Sequence, residues 1–179
     1  MSALEIRTKN LADLYDLAPL DWEDVRRTLE TNLTQGPGTG GPGHHTFWLS
    51  TMDADGRPHM TAVGAFWLDG RYYFCGGPRS RKIRNVEREP RCAIGVAIHG
   101  YDVALEGEAT RVADETLLER LTAVFAEGGW APTVADGGFT HEYSAPSAGP
   151  PPWYVYEFVP RDAYAVATEE PGGATRWTF

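Results

Sequence analysis

The sequence predicts a mainly β protein, a small antiparallel barrel with helices packed outside it. Three observations carry that prediction. Strand-like runs follow one another with short connections from Thr46 to Val112. Two of those connections end in Asp-Gly, at Asp55-Gly56 and Asp69-Gly70, and a third is His99-Gly100. So many strands in hairpin order must also hide their edges, and closure into a barrel does so.

The elements follow in order. Residues 1–35 read as a helical extension, with Asp21 as N-cap and Trp22, Val25, Leu29 and Leu33 at helical spacing. Gly36 to Gly43 carries five glycines in eight residues, so 36–45 reads as a linker to a domain spanning 46–179. The run contains GxGxxG, but a helix precedes it and a strand follows, the reverse of a dinucleotide fingerprint. Strands are expected at Thr46–Met52, Pro58–Leu68 and Arg71–Gly76. A short helix capped by Ser80 runs to Glu89, where Pro90 stops it. Strands Arg91–Ile98 and Tyr101–Val112 follow, then an amphipathic helix capped by Asp114 and ended by Gly128-Gly129. Gly128 to Pro152 has no clean period and several aromatics, which suggests a lid or binding loop. Late strands are expected at Trp153–Val159, Ala163–Thr168 and Thr175–Phe179.

Composition narrows the function. At 179 residues, 42% hydrophobic and 23% charged, the chain suits one globular domain. No run reaches the ~18 apolar residues of a membrane helix, and Met1 to Asn10 does not read as a signal peptide. The net charge of −9 disfavours nucleic acid as a partner. Two cysteines without CxxC read as free thiols in a reducing cytoplasm. The five histidines show no zinc spacing. No hydrolytic constellation such as GxSxG is present.

One stretch goes against the acidic background. Arg79 to Arg91 holds six basic and two acidic residues, just after Gly76-Gly77-Pro78. Glycines let a ligand approach the backbone, and a helix start offers free N–H groups and partial positive charge. Ser80, Arg81 and Lys82 add a hydroxyl, a guanidinium and an ammonium. The combination is an anion site, most naturally for phosphate. A phosphate site without hydrolytic machinery points to a bound cofactor that carries the reaction.

The stretches F-W-L-S-T-M-D-A-D-G-R-P-H-M-T-A-V, D-G-R-Y-Y-F-C-G-G-P and S-R-K-I-R-N-V-E-R-E-P-R resemble the split β-barrel flavin and deazaflavin oxidoreductases, the pyridoxamine-phosphate-oxidase-like superfamily. The final A-T-R-W-T-F is similar to an ending of actinobacterial, deazaflavin-dependent members. The resemblance implies a split antiparallel barrel that forms a homodimer, with two cofactor sites at the interface. It implies that Ser80, Arg81 and Lys82 hold the cofactor phosphate. His59, Met60 and Thr61 would lie along the ring system, with Cys75 and Gly76 lining the same site and Arg176 and Trp177 reaching it from the C-terminus.

The chain departs from the true oxidase. Thr61 and Phe66 stand where that enzyme has a basic pair, and Arg176 is followed by Trp177 and Thr178 in place of Arg-x-His. The pattern is closer to relatives that use cofactor F-420, with FMN as the alternative. The expected activity is hydride transfer to a small conjugated or aromatic acceptor. The alternative is a protein that binds or stores a flavin, a deazaflavin or a tetrapyrrole such as haem without catalysis.

Overall fold

Two hairpins set the frame. The computed structural model describes residues 6–31, 35, 44–143 and 147–179. Strand β2 (Phe47–Met52) turns into β3 (Pro58–Val63), and β4 (Ala65–Leu68) turns into β5 (Arg71–Gly76). Gly56 and Gly70 both take a φ of +83°, which a residue with a Cβ rarely adopts. Helix α2 (Arg81–Arg88), strands β6 (Arg91–Ile98) and β7 (Tyr101–Arg111), and helix α3 (Glu115–Glu127) follow as the sequence predicts.

The sheet runs β1-β11-β10-β7-β6-β2-β3, with β4 paired to β5 and β5 to β10. Here β10 is Tyr154–Ala167, β11 is Ala174–Thr178 and β1 is Arg7–Asn10. No ladder joins β3 to β5. The chain bridges that gap by passing from β3 into β4 at Gly64, so the split in the barrel lies there. The fold is the expected class, an antiparallel split barrel with outer helices.

Alternation explains the core. Phe47, Leu49, Tyr72, Phe74, Ile94 and Leu105 turn into the barrel. Tyr73 and Val155 turn outward and pack under α3 with Leu118, Leu121 and Phe125. Strand β5 is thus covered on both faces, which is why Tyr72-Tyr73-Phe74 reads as an unbroken apolar run. Helix α1 (Trp22–Leu29) closes one end, with Trp22 5.3 Å from Trp177 and 4.8 Å from Phe179.

Several expectations need correction. Arg7–Asn10 is not helical but an edge strand, antiparallel to β11. The single strand expected at Pro58–Leu68 is two, broken at Gly64. The two strands expected between Trp153 and Thr168 are one, with a bulge between Pro160 and Asp162 that tolerates the proline. The segment 128–152 holds a hairpin, β8 (Thr133–Ala135) and β9 (Gly138–Thr140). Leu33 and the glycine run at 36–43 lie outside the described residues. Among the described residues, no helix is long and apolar enough to cross a membrane.

Candidate functional site

The joint between β5 and α2 builds the site. Gly76 ends the strand, and Ser80 N donates to Gly77 O at 2.9 Å as the chain turns into the helix. Helices α1 and α3 each start on an aspartate cap. Asp21 accepts from Glu23 N at 2.9 Å, and Asp114 accepts from Leu117 N at 3.0 Å. Ser80 occupies the same position in α2 and makes no cap bond. Its Oγ is buried and has no hydrogen-bond partner among the described residues. A buried hydroxyl of this kind costs free energy until something polar reaches it. The first turn of α2 thus offers uncapped N–H groups and an unpaired hydroxyl in one place.

Ser80 lines a pocket of about 340 Å³ together with Gly77 and residues 147–151. Lys82 lines an adjoining cavity of about 210 Å³, and Ser147 and Ala148 border both. Gly76 makes room for the lysine stem. A Cβ there would stand 3.0 Å from Lys82 Cε and 2.9 Å from Ile83 Cγ1. Burial holds the Lys82 ammonium below its ordinary value. Burial also pushes the Cys75 thiol up to about 12, so it lines the cavity as a neutral group.

The remaining cavity wall is apolar and aromatic. Ala62, Val63 and Gly64 contribute from the barrel split, and Phe66 and Phe125 from β4 and α3. Trp130, Tyr143 and Trp153 contribute from the segment expected as a lid. Its described part is packed in place. Phe139 is fully buried and bridges to Trp153, and Trp130 Nε1 donates to Tyr143 O at 3.0 Å. Among the described residues, Lys82, Gln35, Tyr143 and Ser147 add polar side chains to this wall.

The sequence-predicted residues divide. Cys75, Gly76 and Lys82 meet at the cavity, and Ser80 stands at the adjoining pocket. Arg81 turns away from both and forks onto Asp53. His59, Met60 and Thr61 lie just before the part of the chain that lines the cavity. His59 Nδ1 is 3.5 Å from Thr51 Oγ1, and Met60 is 64% exposed. Arg176 and Trp177 do not reach the cavity. Strand β11 pairs with the Asp162–Val166 half of β10, whereas β5 pairs with Tyr154–Phe158. Alternation then turns Trp177 into the core and leaves Arg176 on the outer face, 3.2 Å from Asp162.

The sequence reasoning missed the aromatic wall and the Ala62–Gly64 wall as site residues. A glycine inside a β run, at Gly64, was the available signal for a break or a close approach. Among the described residues, no group of three or more His, Cys, Asp or Glu is placed to hold a metal.

A family model described as pyridoxamine 5'-phosphate oxidase matches residues 41–167. The chain belongs to this family. The match spans both hairpins, the β5–α2 joint and the whole of β10. Solved structures agree on the fold. A pyridoxamine 5'-phosphate oxidase-related, FMN-binding protein from Nostoc punctiforme superposes with a TM-score of 0.55 at 18% identity, over 88% of this chain and 89% of that one. PhzG from Burkholderia lata 383, in complex with tetrahydrophenazine-1-carboxylic acid, gives 0.54 at 17% identity, over 87% and 80%. An F-420 reductase gives 0.51 at 18% identity, over 82% and 98%. At these identities the likeness is one of fold. A search of curated proteins returns no match.

Proposed function

We propose that this family member is a flavin- or deazaflavin-dependent oxidoreductase that uses cofactor F-420, with FMN as the alternative. The single observation that carries the reading is the unpartnered Ser80 Oγ at the uncapped start of α2, next to a lysine set in an aromatic cavity. The residues present fit a cofactor phosphate: a free hydroxyl donor, helix N–H groups and an ammonium with no competing carboxylate. FMN-binding and F-420-reducing proteins of the same fold support the choice of cofactor class.

When bound, such a cofactor would supply a hydride, and with it the electron pair, to the acceptor. Ser80, the first turn of α2 and Lys82 anchor the phosphate. Cys75, Gly76 and Ala62–Gly64 wall the ring side. Trp130, Tyr143 and Trp153 exclude water and stack a planar acceptor, a small conjugated or aromatic molecule. The cavity lining contains no carboxylate and no imidazole among the described residues, so the chain contributes orientation rather than a strong general acid.

In this reading a second copy of the chain completes the Lys82 cavity. A cavity of about 210 Å³ is small beside the ~300–1,000 Å³ of typical ligand pockets. The outer face of β3, β2, β6 and β7 offers a mating surface with exposed Trp48 and Met60 around Ala93, Gly95 and Ala104. We assign the dimer to the cytoplasm, where Cys75 and Cys92 persist as free thiols.

The test is a fluorescence titration of the purified protein with F-420 and with FMN, followed by turnover of the reduced cofactor with conjugated and aromatic acceptors. Micromolar or tighter binding with oxidation of the reduced form is expected. Binding without turnover would make the protein a carrier, and binding of neither would remove the reading.

A further inference from the structure

Ser80, Arg81 and Lys82 are adjacent in sequence but differ in what they touch. Among the described residues, Ser80 Oγ is unpartnered and no carboxylate acts on Lys82. Arg81 is already engaged. Its Nε donates to Asp53 Oδ1 at 2.9 Å, and its Nη2 donates to Asp53 Oδ2. The Asp53 side chain is only 12% exposed, against 53% for Arg81.

Arg81 is the first of three residues on one stripe of α2. Asn85 and Arg88 follow at helical spacing, and all three reach the end of β2 and the turn after it. Asn85, 3% exposed, donates from Nδ2 to Asp53 Oδ1 at 2.9 Å and to Thr51 Oγ1 at 3.1 Å. Arg88 donates to Met52 O and to Asn85 Oδ1. Three consecutive residues, Thr51, Met52 and Asp53, therefore hold one side of the helix. The fork engages Nε and Nη2 of Arg81, and moving it off Asp53 would leave a largely covered carboxylate without its cation.

We infer that Asp53 is a positioning residue of the anion site: by bracing Arg81 and Asn85 it fixes the first turn of α2 so that Ser80 and Lys82 face the ligand. This rests on the reading of the α2 start as a phosphate site. Arg81 and Asp53 then act as one unit. Losing either residue loosens the same turn, and losing both costs no more than losing one.

The experiment compares a ligand with its phosphate-free counterpart on the full-length protein. The pair is FMN against riboflavin, or F-420 against its bare deazaflavin chromophore, whichever the wild type binds. The variants are Asp53→Asn, Arg81→Met, the double change and the conservative Asp53→Glu. Asp53→Asn and Arg81→Met are each expected to weaken the phosphorylated ligand on the order of tenfold, the scale of one charge-assisted hydrogen bond. The phosphate-free ligand should be unaffected, the double variant no worse than either single one, and Asp53→Glu should recover most of the loss. Tighter binding in Asp53→Asn with weaker binding in Arg81→Met would overturn the inference, because Arg81 would then be a direct ligand that Asp53 holds back. Additive losses would overturn it too. Urea unfolding of the unliganded variants reads the brace separately. Non-additive unfolding with unchanged ligand discrimination reduces Asp53 to a structural role. A wild type that binds none of these ligands removes the proposed function, and the positioning role with it, while the unfolding cycle still reports the brace. If Arg81→Met does not fold, Arg81→Lys keeps the charge, removes the fork and answers the same question.

Discussion

Gly128 meets Phe66 edge-on: a Cβ added to the glycine would stand 2.1 Å from Phe66 Cε1 and 2.4 Å from Cζ. This contact joins the end of α3 to β4, where Phe66 also packs 4.5 Å from the ring of Phe125. The backbone at Gly128, with φ −74°, would accept any residue, so the need for glycine is purely steric. Gly128→Ala is expected to cost about 1–3 kcal/mol, the usual range for overpacking. The displaced ring also borders the Lys82 cavity, so ligand affinity should fall in parallel. Urea unfolding and cofactor titration of the same variant check both parts. An unchanged midpoint would mean that the helix end yields freely.

Gln35 supplies what β3 and β4 cannot supply at the split. Its Nε2 donates to Ala65 O at 2.8 Å, and its Oε1 accepts from Ala65 N at 2.8 Å. Ala65 is 1% exposed, so its backbone groups have little access to water when that amide is removed. Gln35→Ala should destabilise by about 1–3 kcal/mol, the scale of leaving a buried polar group unpaired. Gln35→Glu keeps the acceptor but loses the donor at neutral pH, and should fall between the two. Equal stability of all three proteins in urea would refute the bracing role.

Much of this architecture was legible because local chemistry and tertiary packing agree. Asp69-Gly70 is a hairpin turn in the sequence and in the structure, with both residues at positive φ. Where the two levels diverge, the reading failed. Arg7-Thr8-Lys9-Asn10 has no apolar alternation, because an edge strand on β11 buries almost nothing. Asp136-Gly137 is the same hairpin signal as Asp69-Gly70, but the strands beside it are only three residues long and their pattern is too short to register. The candidate site was half legible. Glycines before Ser80-Arg81-Lys82 mark the β5–α2 joint locally, whereas the Trp130–Trp153 wall depends on a fold-back that no spacing encodes.

Lys82 predicts a pH dependence of opposite sign to that of a carboxylate. Burial favours its neutral form, so its folded value lies below the ordinary 10.5. A bound phosphate favours the charged form and raises that value again, so binding takes up a proton once the free lysine has begun to lose its own. Affinity for a phosphorylated cofactor should therefore be flat on the acid side and fall as pH rises through the depressed value, beginning below 10.5. Lys82→Arg stays charged and should flatten the fall, while Lys82→Ala should weaken binding at every pH. Titrations from neutral pH upward with FMN and riboflavin measure this directly. A pH-independent affinity in the wild type would separate Lys82 from the phosphate.

Trp48 is the residue on which the proposed dimer turns. It stands on β2 between Ala62 of β3 and Gly95 of β6, and the same row continues to Ala104 of β7. The adjacent row reads Met60, Ser50, Ala93, Glu106. Small residues flanking an indole that is 48% exposed form a shallow trough with a protruding anchor, a shape that a two-fold copy of itself can fill. Outside the dimer this apolar patch would face water with no structural reason to do so. Trp48→Glu places a charge at the centre of that face while leaving the barrel interior untouched, so the fold should persist by circular dichroism. Sedimentation velocity should then report a dimer for the wild type and a monomer for the variant at the same micromolar concentration. Because the cavity is completed by the second copy in this reading, cofactor affinity should drop with the dimer. A monomeric wild type would exclude the shared site, and a monomeric variant with full affinity would place the whole cofactor within one chain.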